Sequence, residues 1–221
     1  MIDKRAPDPA AAVAAIPDGA VVLLGGFGNV GVPMALIDAL VALGRRDLTI
    51  VANNCGIGDV GVANLFKHDL VRKVIASFPA QAGNHHFLRA YNEGSVELEL
   101  VPQGTLAERL HAGGAGLGGF FTPTAVASEL AGGKERRVIE GRDYLFETPL
   151  RGDFALVRAH VGDRMGNLRY RLSARNFNPV MAMAAEVTIA EVERIVPVGE
   201  IGPDDVHTPS VFVDRVVEVP R

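Results

Sequence analysis

Apolar runs alternate with amphipathic stretches through the first half of the chain, and this pattern predicts strands separated by helices. The predicted strands are AVVLL, LTIVAN, VRKVIAS and SVELEL, at residues 20–24, 48–53, 71–77 and 95–100. Helices are predicted before and between them over AAAVAAI, PMALIDALVALG, VANLFKH and NHHFLRAYNEG. Strands and helices in alternation build a parallel sheet with helices on its faces.

Residues at the ends of these segments predict where two of the helices begin and stop. Pro33 suits the first turn of a helix, and Gly44 suits the position just after its last turn. Thr105 and Glu108 have the spacing of a capping box, which predicts a helix over TLAERLHAGG that ends near Gly113.

The second half of the chain has a different pattern. GGAGLGGFFTPT shows no periodicity, which predicts a long loop of the kind that is often functional. RRVIEGRDYLFE predicts two strands joined by a turn at residues 141–143, and FALVRAHVGDRMGNLRY predicts a second strand pair. A helix over NPVMAMAAE and strands over EVTIAEVERIV and SVFVDRVVEV complete the chain.

No boundary divides this pattern, so residues 1–221 are predicted to form a single α/β domain. The expected fold is an open, largely parallel sheet flanked by helices, with additional edge strands in the C-terminal half.

Composition narrows the class of protein. Apolar residues make up 48% of the chain, but the longest uncharged apolar runs are shorter than the roughly 20 residues of a membrane span. The N-terminal segment is interpreted as mature sequence because Asp8 and two prolines interrupt it. A net charge of −4 without a long Lys/Arg cluster argues against a nucleic-acid surface. The single cysteine, Cys55, excludes an internal disulfide and predicts a cytoplasmic protein.

The segment GGFGNVG stands between a predicted strand and a predicted helix, where a dinucleotide-binding loop would lie. Gly26, Gly28 and Gly31 match the G-x-G-x-x-G spacing. The dinucleotide-binding fold also needs an acidic residue at the end of the second strand, and Asn53 and Asn54 stand there instead. NAD binding is therefore disfavoured, and a tight turn that needs glycine dihedral angles stays open as the simpler alternative.

Metal sites and nucleophiles are poorly supported by spacing. His85 and His86 are adjacent, so on a helix they point about 100° apart, and the other histidines are scattered. No metal site is predicted. The sequence has no G-x-S-x-G motif, and Cys55 is a candidate either for a reactive thiol or for a passive small side chain.

The ends of three predicted strands give a better clue, because ligands of open parallel sheets lie beyond the carboxyl ends of the strands. Glycine and amide groups follow these strands in the segments GGFG, NNCG and PQG. Such groups supply N–H donors, which suit an oxyanion hole. The alternative, that the Asn and Gln side chains only cap the following helices, stays open. The segments contain Gly25, Gly26, Phe27, Gly28, Asn53, Asn54, Gln103 and Gly104.

Several motifs together resemble the A (alpha) subunit of the family I 3-oxoacid CoA-transferases. They are GGFGNVGVPMALIDAL, IVANNCGIGDVGVANLF and VELELVPQGTLAERLHAGGAGLGGFFTPTA, followed by GDFALVRAHVGDRMGNLRYRLSARNFNPVMAMAA. The resemblance runs over nearly the whole chain and implies the α/β open-sheet fold of that subunit. It also implies a heterotetramer or larger assembly with a B subunit.

In that family the nucleophile is a B-subunit glutamate in a Ser-Glu-Asn-Gly type motif, and this chain has no such motif. The implied reaction is ping-pong transfer through an acyl-glutamyl anhydride and a glutamyl-CoA thioester. The resemblance assigns an oxyanion donor to Gln103, and places Gly25, Gly26, Phe27, Gly28, Asn53, Asn54 and Gly104 in the substrate cleft. Coenzyme A enters as a thioester substrate, and no tightly bound cofactor is implied.

The segments SFPAQAGNHHF and GIGDVG resemble the 3-oxoadipate branch of the family, which implies succinyl-CoA as donor and 3-oxoadipate as acceptor in aromatic catabolism. Met34 and TAVASEL depart from the family pattern, so acetoacetate or another short acyl acceptor remains an alternative. An alternative of a different class is a non-catalytic domain on this fold that binds an acyl-CoA or another small ligand.

Overall fold

A computed structural model describes residues 2–220 of the chain. Eleven strands and six α-helices follow one another in these residues. The strands are β1 (Val21–Leu24), β2 (Leu48–Asn54), β3 (Val71–Phe78), β4 (Glu97–Leu100), β5 (Phe120–Thr122), β6 (Arg136–Ile139), β7 (Arg142–Glu147), β8 (Gly152–Asp163), β9 (Leu168–Arg169), β10 (Ala185–Val196) and β11 (Arg215–Glu218). The helices are α1 (Pro9–Val13), α2 (Met34–Leu43), α3 (Val62–Lys67), α4 (His85–Asn92), α5 (Gln103–Ala115) and α6 (Asn178–Met183).

The main sheet has eight strands and is parallel except for β9, so the predicted open, largely parallel sheet is confirmed. Its order is β11-β10-β8-β1-β2-β3-β4, with β9 paired to β8. Strands β2, β3 and β4 lie to one side of β1, and the later long strands add on its other side. The direction in which the sheet grows therefore reverses between β1 and β8, which is where ligands of open α/β sheets bind.

Both faces of the sheet are covered by helices. Along β1, Val22 and Leu24 pack in one buried cluster with residues of α1, α2, α3 and α4, whereas Leu23 packs in a second cluster with residues of α5 and α6. Successive strand residues point to opposite faces, so a strand buried on both sides reads as a continuous apolar run. This explains why AVVLL lacks polar alternation.

Helix ends follow the sequence signals in part. Gly44 adopts φ +71° after α2, as expected for a left-handed stop residue. No side chain of a neighbouring residue caps the start of α2. The N–H of Leu36 donates instead to the buried carboxylate of Glu191 on β10, 3.0 Å away. Burial raises the pKa of Glu191, and Arg158 contacts its other oxygen at 3.1 Å.

The predicted capping box of α5 is wrong. The helix starts at Gln103, so Thr105 lies inside its first turn, where it is buried. Pro102 is the cap residue, with a φ of −53° that suits the approach to a helix, and its carbonyl accepts the N–H of Leu106. The helix also runs past Gly113 to Ala115.

The C-terminal half holds the other differences. The hairpin over RRVIEGRDYLFE forms β6 and β7, but these strands pair with β5 in a separate antiparallel sheet, so the segment GGAGLGGFFTPT is not wholly irregular. The hairpin turns at Glu140 and Gly141, both with positive φ, one residue earlier than predicted. Residues 210–212 form a 3-10 turn, so only the end of SVFVDRVVEV is a strand. The later strands are not all additions at the edge, since β8 lies directly beside β1.

Asn178, which is fully buried at the start of α6, joins the two halves of the fold. Its Oδ1 accepts the N–H of Arg158 at 2.9 Å, and its Nδ2 donates to the carbonyls of Gly31 at 3.0 Å and Ala174 at 2.9 Å. A Cβ at Gly25 would lie 1.9 Å from Asn178 Oδ1. Glycine is therefore required there by close approach and not by its dihedral angles. Among residues 2–220, no helix is both long and apolar enough to cross a bilayer.

We expect Asn178→Ala to lower the free energy of unfolding by about 2–4 kcal/mol, because it leaves one buried N–H and two carbonyls without their partner. Urea denaturation measures the change. The matched control is Asn64→Ala, which removes a single exposed hydrogen bond to Asp38 and should cost less than about 1 kcal/mol. Equal, small losses in both variants would contradict the joining role of Asn178.

Candidate active site

The carboxyl ends of β1, β2 and β3 and the start of α5 meet at one edge of the main sheet, because the strands are parallel. A cavity of about 370 Å³ opens there. It brings together five of the residues predicted from sequence. The residues that line it are Phe27, Gly28, Asn53, Asn54, Ser77, Phe78, Gln81 and Gln103.

Gln103 is the first residue of α5, and its side chain points to the end of β2. Its Nε2 donates to Oδ1 of Asn53 at 2.7 Å, and Asn53 is itself buried. A carboxamide nitrogen carries two hydrogens. One of them holds the orientation of Gln103, and no acceptor within residues 2–220 takes the other. Gln103 lines the cavity, so its carboxamide, held on one side by Asn53, keeps a second N–H available as a donor there.

Gly104 lies beside this cavity and not in it. With Phe27 and Gln103 it lines a neighbouring open cavity of about 300 Å³, whose other side is formed by Asn176, Phe177 and Val180. The ring of Phe27 is 50% exposed and lines both cavities. Phe27 and Gln103 therefore lie between the two cavities and line both of them.

Gly25 and Gly26 line neither cavity. Gly25 packs against Asn178, and a Cβ at Gly26, where φ is +122°, would lie 2.5 Å from Cγ2 of Val32. Both glycines allow close packing within the turn and do not line either cavity. Their place in a substrate cleft therefore stays a prediction.

Ser77, Phe78 and Gln81 belong to the cavity and were not identified from sequence. Ser77 and Phe78 end β3, so the rule that ligands lie beyond strand ends applies to them as it does to Asn53 and Asn54. Oγ of Ser77 is buried and has no hydrogen-bond partner among the described residues. Gln81 lies in the loop after β3, and its side chain makes one long contact among the described residues, 3.4 Å, to the carbonyl of Gly56.

Cys55 does not supply a nucleophile. Its side chain is buried, and burial raises the pKa of the thiol far above its ordinary value, so the thiol stays protonated. Of the two alternatives left open by the sequence, the passive one fits this environment.

The turn after β1 is closed on itself. The N–H of Phe27 donates to the carbonyl of Val30, and the N–H of Val30 donates back to Phe27, each at 3.0 Å. A dinucleotide loop needs such N–H groups for the pyrophosphate. Since β2 also ends in Asn53 and Asn54 without a carboxylate, the geometry does not suit NAD.

Three side chains that can bind metal approach one another beyond the lining of the cavity. Asp59 follows β2, and His85 and His86 begin α4. Hydrogen bonds from His86 and Lys67 hold the pKa of Asp59 below its ordinary value. The described residues contain no other such group of three or more His, Cys, Asp or Glu side chains.

Comparison with known proteins identifies the family. The coenzyme A transferase family matches residues 7–219. The A subunit of the 3-oxoadipate CoA-transferase from Pseudomonas putida is 52% identical over 219 residues, which cover 99% of this chain and 95% of that protein. The A subunit of the succinyl-CoA:3-ketoacid coenzyme A transferase from Helicobacter pylori is 44% identical over 215 residues, which cover 97% and 92%.

Among solved structures, glutaconate coenzyme A-transferase from Acidaminococcus fermentans has a TM-score of 0.85 at 22% identity. The match covers 96% of this chain and 75% of that chain, and it shows that the two share a fold. The family match and the two relatives each span nearly the whole sequence, so the chain belongs to the coenzyme A transferase family.

Proposed function

We propose that this chain is the single-domain A subunit of a CoA-transferase that moves coenzyme A from succinyl-CoA to a 3-oxoacid, with 3-oxoadipate as the preferred acceptor. One observation carries the proposal. The cavity at the strand ends holds the fixed amide donor of Gln103, yet its lining contains no carboxylate, imidazole or thiol. It is suited to stabilise a developing negative charge and lacks a group to form the covalent intermediate.

A B subunit supplies that missing group in the proposed enzyme. Both relatives are named as A subunits, which supports a partner chain. A B-subunit glutamate attacks the succinyl thioester, giving an acyl-glutamyl anhydride and the CoA thiolate. The thiolate then attacks the glutamyl carbonyl of the anhydride, which releases succinate and leaves a glutamyl-CoA thioester. The acceptor carboxylate reverses these steps.

Gln103 acts where each of these steps places charge on a carbonyl oxygen. Its free N–H donates to the oxyanion, and Asn53 keeps the carboxamide from rotating away. A preorganised donor of this kind is worth roughly 3–4 kcal/mol of the barrier. Coenzyme A is a substrate in this scheme, and the scheme uses no tightly bound cofactor.

The preference for 3-oxoadipate rests on the neutral polar groups of the cavity. Compared with acetoacetate, 3-oxoadipate carries a second carboxylate, which needs hydrogen-bond donors when it leaves water. Gln81 lines the cavity and has spare hydrogen-bonding capacity, because its side chain makes one long contact, 3.4 Å, to the carbonyl of Gly56. The higher identity to the 3-oxoadipate relative, 52% against 44%, agrees with this preference.

Assembly and location complete the proposal. The A and B subunits form a heterotetramer or a larger complex, so that each cavity of this chain faces a B-subunit glutamate. The enzyme works in the cytoplasm, where a reducing environment keeps Cys55 as a free thiol.

We expect the isolated chain to show no CoA transfer and the reconstituted A–B complex to show it. The activity is measured as the formation of 3-oxoadipyl-CoA from succinyl-CoA and 3-oxoadipate. Chromatography quantifies the product. A complex in which the B-subunit glutamate is replaced by glutamine is the control and should be inactive. Full activity of the isolated chain would contradict the proposal, and acyl-CoA binding without transfer by the complex would favour a non-catalytic binding domain.

We expect Gln103→Ala to lower kcat of the complex by about 10²- to 10³-fold, because the variant removes one oxyanion donor. The KM values should change little, since the donor acts mainly on the transition state. The control is Glu108→Ala on the exposed side of the same helix, where the carboxylate contacts only His111, and its kcat should stay within about twofold. An unchanged kcat in Gln103→Ala would remove Gln103 from the mechanism.

Gln81→Leu tests the acceptor preference. We expect about a tenfold lower kcat/KM with 3-oxoadipate, the effect of one lost hydrogen bond to a charged group, and a change within about twofold with acetoacetate. Initial rates with each acceptor at fixed succinyl-CoA give the ratio. If both acceptors lose activity equally, Gln81 does not recognise the second carboxylate.

A further inference from the structure

The cluster of Asp59, His85 and His86 lies at the rim of the cleft and takes no part in the proposed transfer reaction. Oδ1 of Asp59 is 2.6 Å from Nε2 of His86 and 4.0 Å from Nε2 of His85. The ligand atoms of the three residues lie within 4.8 Å of one another. The spacing of the histidines in sequence did not indicate this, because the third residue comes from a different loop.

Backbone contacts hold the two segments of this cluster together without help from its side chains. The N–H of Gly58 donates to the carbonyl of Gly83 at 2.9 Å, which ties the loop after β2 to the turn before α4. Nδ2 of Asn84, a buried side chain, donates to the carbonyl of Pro79 at 2.6 Å and fixes the same turn. The three ligating side chains therefore start from a preorganised frame.

The donor set and its exposure suit one class of ion. Two imidazole nitrogens and one carboxylate oxygen are the ligands that Zn²⁺ takes in sites that keep a fourth position for water. Mg²⁺ and Ca²⁺ prefer oxygen ligands. The side chains of Asp59 and His85 are 60% and 62% exposed, so water can reach a bound ion from that side.

Small side-chain movements bring the three atoms to metal-binding distances. Ligand atoms about 2.1 Å from one tetrahedral zinc ion lie about 3.4 Å from each other. His86 has to move outward by about 0.8 Å from its hydrogen bond with Asp59, and His85 inward by about 0.6 Å, from separations of 2.6 Å and 4.0 Å. The side chains of Asp59 and His85 are exposed, so their rotation covers such distances around the largely buried His86 without a change in the backbone.

Lys67 competes for the same carboxylate. Its Nζ lies 3.3 Å from Oδ1 of Asp59, and its side chain is 42% exposed. The ammonium group can leave into solvent when a dication binds, and this costs little because exposed ion pairs contribute little to stability.

We propose that Asp59, His85 and His86 form a binding site for one divalent transition-metal ion of the zinc type. The bound ion crosslinks the loop after β2 to the start of α4. These two segments adjoin Asn54 and Gln81 in the cavity, so the ion stabilises one wall of the cleft. The site belongs to this chain alone and does not depend on the proposed transfer reaction.

Calorimetric titration of the tag-free full chain with zinc chloride tests the proposal. We expect one ion per chain with a dissociation constant of about 1–10 μM. His85→Ala and His86→Ala should each weaken binding at least about tenfold and should reduce the rise in melting temperature that zinc gives the unaltered chain. The matched control is His111→Ala, an exposed histidine that contacts only Glu108, and it should bind zinc unchanged.

Titration with Co²⁺ gives a second measurement, because its visible absorption reports coordination number and its near-ultraviolet absorption reports thiolate ligation. We expect visible bands of a four- or five-coordinate ion without a thiolate band. A strong thiolate band would place the ion on Cys55 and overturn the proposal. Binding weaker than about 100 μM, or an equal loss of affinity in His111→Ala, would overturn it as well.

Discussion

The close approach of Asn178 to the glycine turn is the contact on which the arrangement of the site depends. Asn178 occupies the space that side chains at Gly25 and Gly31 would fill, and from there it bonds to the turn after β1 and to β8. These are the two strands between which the direction of sheet growth reverses. The Asn178 amide thus fixes the turn at the point where an open sheet forms a crevice. This turn positions Phe27, which lines both cavities. A buried carboxamide without its partners is costly, so loss of this contact would destabilise both the turn and β8.

The parallel sheet explains why amides from distant parts of the chain meet. Asn53 ends β2 and Gln103 follows β4 by three residues, and strands that run in the same direction deliver both to one edge. Their hydrogen bond uses one N–H of Gln103 and leaves the other without an acceptor among the described residues. The same rule brings Ser77 and Phe78 there from β3. The lining is therefore made of neutral polar and apolar groups and contains no carboxylate, imidazole or thiol.

Sequence patterns predicted the parts that depend on local chemistry. The apolar runs located the strands of the main sheet, Gly44 marked the end of α2, and the strand ends located five of the eight residues that line the cavity. The sequence patterns did not predict contacts between residues that are far apart in the chain. The start of α2 is capped by Glu191, 155 positions away, and Thr105 is not the cap of α5 because that helix already begins at Gln103, after Pro102. The three-stranded sheet and the meeting of Asp59 with His86 likewise depend on tertiary packing.

The neutrality of the cavity bears on how such a site can accelerate the proposed reaction. A lysine or arginine in this position would bind the carboxylates of succinate and the acceptor strongly before reaction, and binding that is equal in the ground and transition states does not raise kcat. An uncharged N–H gains most when a carbonyl oxygen becomes an oxyanion, since hydrogen bonds to charged acceptors are roughly twice as strong as those to neutral ones. Gln103, oriented by the buried Asn53 and free of nearby cations in the cavity lining, meets this condition. In the proposed reaction, an amide in place of a cation would thus stabilise the transition state more than the bound substrates.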